Sequence, residues 1–195
     1  MKAPAAATLL VAVASLLNAQ TTDTAVNIQQ VVVSLPTINA YVDVLSGDGA
    51  PVTGLKPQNF TASVSGQTLP FKTAVPFAES QEGMATVILL DTSASIGRTR
   101  FRDMKDTVAA WIGEMGPKDQ TTLLTVGNKT GVVSPFTTDK AALLKALGDV
   151  NTQDETTALY LSLATGLRTA LSSSDLPARR ILLVLTDGKD DNPVS

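Results

Sequence analysis

The chain contains neither cysteine nor histidine among its 195 residues. This absence excludes disulfide bonds, Cys or His nucleophiles, Ser-His-Asp triads and the usual zinc sites. A basic excess is also missing, because the net charge is -3, and nothing in the composition supports binding to nucleic acid or to an anionic membrane. With 44% apolar residues, the sequence is typical of a soluble, mildly acidic globular protein.

The first residues have the features of a secretory signal peptide. The basic residue Lys2 precedes an apolar core that runs to Leu17, and Ala19 offers a small-residue cleavage site before Gln20. A retained membrane anchor is less favoured, because the run is shorter than the roughly 20 residues of a spanning helix. No cysteine follows the core, which excludes a lipoprotein. We expect residues 1–19 to be removed, leaving a mature chain without a membrane span that is secreted or lies in the periplasm or cell envelope.

Residues 28–78 are rich in β-branched residues and in turn formers. The segments IQQVVVSL and INAYVDVL alternate in part and are separated by Pro36, and SGDGAP and SGQ are typical of turns. We expect a small β-sandwich-like module of four short strands, too small to form a large core alone. The segment at 77–83 is the expected boundary.

The pattern changes at Met84. The continuous apolar run MATVILL is typical of a strand that is covered on both faces. Further segments alternate between strand and helix, which predicts an α/β fold with a Rossmann-like, doubly wound, mostly parallel sheet. Trp111 falls on the apolar stripe of the first helix, and we expect it to be buried. The predicted parallel strands lie near 85–90, 121–126 and 181–186, a further strand lies near 131–136 beside the second, and the helices cover about 99–115, 139–147 and 157–172.

Polar side chains follow two of the predicted parallel strands. Asp91 ends one strand and Asp187 ends another, and ligands of such sheets bind beyond the carboxyl ends of the strands. If the two strands are neighbours, both carboxylates lie at one edge of the sheet. Ser93 and Ser95 alternate in an extended loop and can turn two hydroxyls to the same point. Oxygen ligands without nitrogen or sulfur suit magnesium, calcium or manganese and not zinc.

Each half of this pattern also has a purely structural explanation. Asp and Ser ahead of a helix are good N-caps, and Thr-Asp-Gly after a strand is often only a turn. The two halves occur together at strand ends, with a threonine-rich loop between them. This combination favours a site over a cap and a turn.

At these residues the chain resembles the von Willebrand factor type A family. DTSAS matches the Asp-x-Ser-x-Ser signature of the family, LLVLTDGKDDN matches its later strand ending in Thr-Asp-Gly, and DETTALYLSLATGL is similar to its threonine loop and following helix. The segment VDVLSGDGAPVTGLKPQNF resembles a β module that precedes this domain in secreted bacterial relatives. The resemblance implies a von Willebrand A-like domain at 84–195. The family's sheet normally continues beyond the Asp187 strand, so we expect an incomplete or shortened domain with a bare sheet edge.

The resemblance also implies a metal-ion-dependent adhesion site. Its direct ligands would be the hydroxyls of Ser93, Ser95 and a loop threonine, and Asp91 and Asp187 would act mostly through water. The ion would be Mg²⁺, with Mn²⁺ or Ca²⁺ as alternatives. A vacant coordination position would then take an acidic side chain from a partner protein.

The loop threonine stays open between two residues. The spacing from ALY favours Thr157, and Thr156 is the alternative, because the loop lacks the usual glycines of the family. Three other segments have ordinary explanations: the basic run at 98–105 predicts a solvated helix face, Asp190 and Asp191 predict a solvated loop, and TVGNKTG lacks the spacing of a phosphate loop and predicts a hairpin turn.

The expected function is a non-enzymatic, metal-dependent adhesion module. One alternative is a hydrolase whose oxygen-ligated ion activates water. The absence of histidine, and of any evident general base apart from the ligands, weighs against it. The other alternative is a metal-free scaffold in the cell envelope, which the complete set of ligand residues makes less favoured.

Overall fold

The computed structural model describes the backbone of residues 9–13 and, with side chains, residues 24–69, 71–152 and 154–191. The predicted cleavage position after Ala19 lies outside these residues. The chain divides into two compact units, residues 1–80 and 81–195. No helix in the described part of the chain is both long and apolar enough to cross a membrane.

The first unit consists of short antiparallel strands. β2 and β3 form a hairpin, and β1, β4 and β5 form a three-stranded sheet in the order β1-β4-β5. β1 lies within the segment that the sequence predicts to be a signal peptide, and removal of that segment stays a prediction. Val44 and Ala62 are the buried apolar side chains of this unit among its described residues. The strands are β1 Leu9–Val13, β2 Ala25–Ser34, β3 Thr37–Leu45, β4 Phe60–Val64 and β5 Gln67–Leu69.

The second unit is an α/β sheet with the strand order β8-β7-β6-β9. β6 is parallel to β7 and to β9, and β8 is antiparallel to β7. The predicted mostly parallel sheet is confirmed, and the segment TVGNKTG forms the predicted turn, between β7 and β8. The elements are β6 Met84–Asp91, α1 Arg98–Glu114, β7 Gln120–Val126, β8 Gly131–Thr137, α2 Lys140–Asp149, α3 Leu159–Ala170 and β9 Arg179–Leu185.

Helices cover both faces of this sheet. On one face Ile88 and Leu90 of β6 pack in a cluster with residues of α1 and α2, such as Val108 and Leu143. On the other face the intervening residues of β6 pack with Leu159 of α3. The continuous apolar run of β6 follows from this arrangement, because both of its faces are removed from water. β9 lies at the edge of the described sheet, and its seven residues are half-buried.

The prediction that Trp111 is buried is wrong. Trp111 is half-buried and packs against the margin of the first cluster, whereas Ile112 is fully buried. The centre of the apolar stripe of α1 therefore runs from Val108 to Ile112, which is four residues later. It does not run to Trp111, which is three residues after Val108. Both spacings return to the same side of a helix with 3.6 residues per turn, and Trp111 lies at the margin of that side.

Candidate metal centre

The two predicted aspartates lie at the ends of neighbouring strands. β6 and β9 run side by side in parallel, with Leu90 opposite Leu185. Asp91 is the last residue of β6 and Asp187 follows β9 by two residues. The predicted site depended on two adjacent parallel strands that end at one edge of the sheet. β6 and β9 meet this condition.

Asp91 is a fully buried carboxylate at this edge. Its Oδ1 accepts a hydrogen bond of 2.9 Å from the backbone amide of Ser93, and its Oδ2 accepts one of 2.7 Å from the hydroxyl of Thr186. Asp91 forms no ion pair with a described lysine or arginine. Burying a carboxylate costs folding free energy unless its charge is compensated. Two neutral hydrogen-bond donors compensate the charge of Asp91 only in part.

The two serine hydroxyls and the second aspartate are in direct contact. The Oγ atoms of Ser93 and Ser95 lie 3.1 Å apart, and Ser95 Oγ donates a 3.0 Å hydrogen bond to Oδ2 of Asp187. Ser93 is buried and Ser95 is exposed. Oxygen atoms from the loop after β6 and the loop after β9 thus come together at a position that opens to solvent.

Thr157 has a hydroxyl without a partner. Its side chain is fully buried, and its Oγ1 forms no hydrogen bond with any described residue. Such a buried, unsatisfied group costs about 1–3 kcal/mol, so it requires an explanation. The alternative residue, Thr156, is exposed, and its hydroxyl donates a 2.5 Å hydrogen bond to Asn128. Of the two threonines, Thr157 is the one whose hydroxyl is buried and lacks a partner among the described residues.

The oxygen atoms that could bind a metal ion here are mainly hydroxyls. Among the described residues, no three carboxylates gather into a cluster that could hold a metal ion. The set around Asp91 and Asp187 combines two carboxylates with neutral hydroxyl oxygens, which are hard ligands of the kind that Mg²⁺ and Ca²⁺ prefer. These residues therefore fit a hard divalent cation.

Sequence reasoning missed a residue that braces the serine loop. Asp154 accepts a 2.8 Å hydrogen bond from the Thr92 hydroxyl, and its backbone carbonyl accepts one from the amide of Ala94. Its carboxylate lies against Gly127, where an added Cβ would meet Oδ2 at 1.9 Å. Gly127 directly follows β7, and a glycine at the carboxyl end of a strand was the available sign of a close approach.

Asp191 is exposed, as the prediction of a solvated loop requires, whereas the predictions of solvated side chains are wrong for Asp190 and Lys105, which are half-buried. Asp190 and Asp191 also accept hydrogen bonds from the amides of Leu159 and Thr157, at 3.1 Å and 2.9 Å. Lys105 is half-buried, and its Nζ donates to the carbonyls of Gly148 and Val150 beyond the end of α2. The three arginines of the basic run are exposed, as predicted: Arg98, Arg100 and Arg102.

A parallel sheet covered by helices on both faces, with an Asp-x-Ser-x-Ser loop at its carboxyl edge, defines an α/β domain of the von Willebrand A class. The family model described as von Willebrand factor type A domain matches residues 86–189. This match spans more than half of the chain, and the chain therefore belongs to the von Willebrand factor type A family. Domains of this family mediate protein–protein interactions, so the chain is a protein-interaction module in this general sense.

Solved structures share the fold at low sequence identity. The conserved hypothetical protein BatB from Bacteroides thetaiotaomicron is 18% identical with a TM-score of 0.51, over 56% of this chain and 57% of that one. The vWF domain of the type V pili tip protein Mfa5 from Porphyromonas gingivalis is 18% identical with a TM-score of 0.50, over 56% and 39% of the two chains. Proximal thread matrix protein 1 from the mussel byssus is 16% identical with a TM-score of 0.50, over 58% and 31%.

The chain thus spans less than two thirds of each of these structures. No curated protein matches the chain. At this level of identity the likeness shows the fold alone.

Proposed function

We propose that the protein is a non-enzymatic adhesion module that binds a partner protein through a divalent cation, most simply Mg²⁺. The observation that carries the proposal is the buried hydroxyl of Thr157, which has no hydrogen-bond partner among the residues that the structure describes. Support for a shared site comes from the loop that carries Thr157, because the amide of Ala158 donates to the carbonyl of Gly127, directly after β7. The contacting oxygens of Ser93, Ser95 and Asp187 likewise follow the ends of β6 and β9. A hard cation gives the Thr157 hydroxyl a partner and gives the buried Asp91 carboxylate the compensating charge that it lacks.

Each residue has a defined task in this proposal. The hydroxyls of Ser93, Ser95 and Thr157 hold the ion directly, and Asp91 and Asp187 supply the negative charge, mostly through water. Because the direct ligands are neutral, the site keeps an affinity for one more anionic oxygen. A bound ion supplies a Lewis-acidic position for a carboxylate of the partner protein.

The proposed location is outside the cytoplasm, in the envelope or beyond it. The support is the N-terminal sequence, with Lys2, the apolar core and the small residue Ala19 ahead of Gln20. Intact-mass measurement or N-terminal sequencing of the protein from its host should give a chain beginning at Gln20. A cytoplasmic protein that retains Met1 would contradict the proposed export.

The metal site is tested by a matched pair of threonine variants. Thr157→Val and Thr156→Val each replace a hydroxyl by a methyl group of similar shape. Calorimetric titration of MgCl₂ or MnCl₂ into the full chain should show binding by the wild type and by Thr156→Val. Thr157→Val should bind at least about 10-fold more weakly, since loss of even an indirect contact to a metal costs about 10–100-fold.

The stability of Thr157→Val without metal distinguishes a metal ligand from a residue that only supports the fold. Without metal, Thr157→Val should be as stable as the wild type or more stable, because it removes an unsatisfied buried hydroxyl. Asp91→Ala should abolish metal binding as well, but it also leaves the Ser93 amide and the Thr186 hydroxyl without their acceptor. Undiminished Mg²⁺ binding by Thr157→Val would reject the proposed site.

Partner binding is tested with the same variants. Pull-down from host extract should recover a partner in Mg²⁺ and lose it in EDTA, and neither Thr157→Val nor Asp91→Ala should recover it. A partner retained equally in EDTA would argue for a metal-free interaction.

A further inference from the structure

The segment after Asp187 folds back onto the loop ahead of α3. The amide of Asp191 donates a 2.8 Å hydrogen bond to the carbonyl of Thr157, and the carboxylate of Asp191 accepts one of 2.9 Å from the amide of Thr157. One residue therefore holds both backbone polar groups of Thr157. Two residues further on, the amide of Leu159 donates to Oδ1 of Asp190 at 3.1 Å.

We propose that Asp191, with Asp190, is a positioning residue for the Thr157 hydroxyl. This inference rests on the proposed metal site. Within the described part of the chain, the Thr157 hydroxyl has no hydrogen bond of its own to direct it. Its direction follows from the backbone, because a threonine side chain is restricted at χ1 once the backbone is fixed. Because Asp191 fixes the backbone of Thr157, it sets the direction of the Thr157 hydroxyl.

The start of α3 explains why an acidic residue is needed at the Leu159 amide. Its N-cap position is Ala158, which has no side chain for capping, and its first turn contains no acidic residue. The first amides of a helix need acceptors from outside it, and negative charge is favourable at this end. The amide of Ala158 is taken by the carbonyl of Gly127, at 2.9 Å. Asp190 and Asp191 take the amides on either side of it.

The same segment also carries a predicted ligand. Asp187 lies four residues before Asp191 and accepts the hydroxyl of Ser95. The stretch 187–191 thus contacts the serine loop at one end and the threonine loop at the other. Loss of the Asp191 contacts should loosen the backbone of Thr157 without removing any ligand.

If Asp191 were instead a direct ligand of the ion, its variants would behave differently. Two substitutions distinguish this direct role from positioning. Asp191→Asn keeps an acceptor oxygen for the Thr157 amide but removes the charge, and Asp191→Ala removes the acceptor. Positioning predicts Mg²⁺ affinity near the wild-type value for Asp191→Asn and about 10–100-fold weaker for Asp191→Ala. A ligand or charge role predicts that both variants lose affinity.

The experiment combines two readouts on the full chain. Calorimetric titration of MgCl₂ measures affinity, with Asp106→Ala as the matched control, since Asp106 is an exposed carboxylate of α1. Amide hydrogen exchange of Thr157, followed by NMR in EDTA, measures the backbone contact without any metal. Asp191→Ala should speed this exchange, and Asp191→Asn and Asp106→Ala should leave it unchanged.

The outcomes separate the inference from the proposed function. If the wild type binds no Mg²⁺, the proposed function fails, and the exchange rates still test the backbone contact. If the wild type binds and Asp191→Ala binds equally well, the positioning role is overturned and the metal site stands. If Asp191→Ala does not fold, Asp191→Asn decides, because weakened binding by that variant overturns positioning. Unchanged exchange at Thr157 in a folded Asp191→Ala overturns it too.

Discussion

The two units of the chain both contain strands rich in β-branched residues, yet they bury them differently. In the α/β unit, β6 is buried from Ala85 to Asp91, because helices cover both faces of its sheet. In the β-rich unit, Val33 of the β2–β3 hairpin stays 62% exposed, and Val44 is the buried residue of β3. The α/β unit can therefore hold a carboxylate and hydroxyls in fixed positions at the end of a strand, whereas most side chains of the hairpin stay in contact with water.

The largest effect on stability is expected from the core of the α/β unit. Leu89 is fully buried on β6, and Leu89→Ala should cost about 2–5 kcal/mol of unfolding free energy because it leaves a cavity. Val33→Thr in the hairpin keeps the β-branched shape at an exposed position and should cost less than about 0.5 kcal/mol. Urea unfolding measures both: the fluorescence of Trp111, the single tryptophan of the chain, follows the α/β unit, and far-UV circular dichroism follows the strands of both units. Equal shifts of the transition would remove the distinction between the two units.

A smaller effect is expected where the loops of the candidate site are braced. Gly127→Ala would place a Cβ at 1.9 Å from the Asp154 carboxylate, which would have to leave the Thr92 hydroxyl. Such overpacking should cost about 1–3 kcal/mol. Gly148→Ala is the matched control, since it lies in α2 with no atom within 4 Å of the added Cβ, and it should stabilise by about 0.5–1 kcal/mol. A stabilised Gly127→Ala in thermal unfolding would contradict the close packing at Asp154.

These contrasts explain how far the sequence could be interpreted. The run ending at Asp91 predicted a doubly covered strand, because burial on both faces leaves a local pattern. The roles of Asp190 and Asp191 had no such pattern, because each carboxylate binds a backbone amide that is distant in sequence. A backbone amide or carbonyl is the same at every residue, and only the fold decides which one comes near. The burial of Trp111 was predicted too high for a related reason. Helical spacing alone does not decide whether Trp111 or Ile112 lies at the centre of the buried side of α1.

A third prediction concerns Lys105, which joins α1 to the end of α2. Its ammonium donates to the carbonyls of Gly148 and Val150, at 2.9 Å and 3.0 Å. Lys105→Ala should therefore cost about 1 kcal/mol of stability, the usual net value of such contacts, and should leave Mg²⁺ affinity unchanged because none of its contacts is a ligand. Lys145→Ala, at an exposed position of α2, should change neither. Loss of Mg²⁺ affinity in Lys105→Ala would extend the candidate site to this helix contact.

The smallest effect is expected in an exposed turn of the β-rich unit. Oδ1 of Asp48 accepts hydrogen bonds from the Ser46 hydroxyl, at 2.5 Å, and from the amide of Ala50, at 3.2 Å. Both bonds favour the ionised form, the Ser46 bond most, and they hold the pKa of Asp48 below its ordinary value of 3.8.

A lowered pKa contributes stability above the ordinary value, and this contribution is lost as the pH falls through the pKa of the folded state. Because Asp48 is exposed, the contribution should be too small to move the unfolding transition of Trp111 between pH 7 and pH 4. NMR titration of the Asp48 carboxyl should give a midpoint below 3.8 in the wild type, and Ser46→Ala should raise it toward 3.8. A midpoint that Ser46→Ala leaves in place would show that the turn is not held by this hydroxyl. A shifted Trp111 transition in Ser46→Ala would show instead that the two units do not unfold independently.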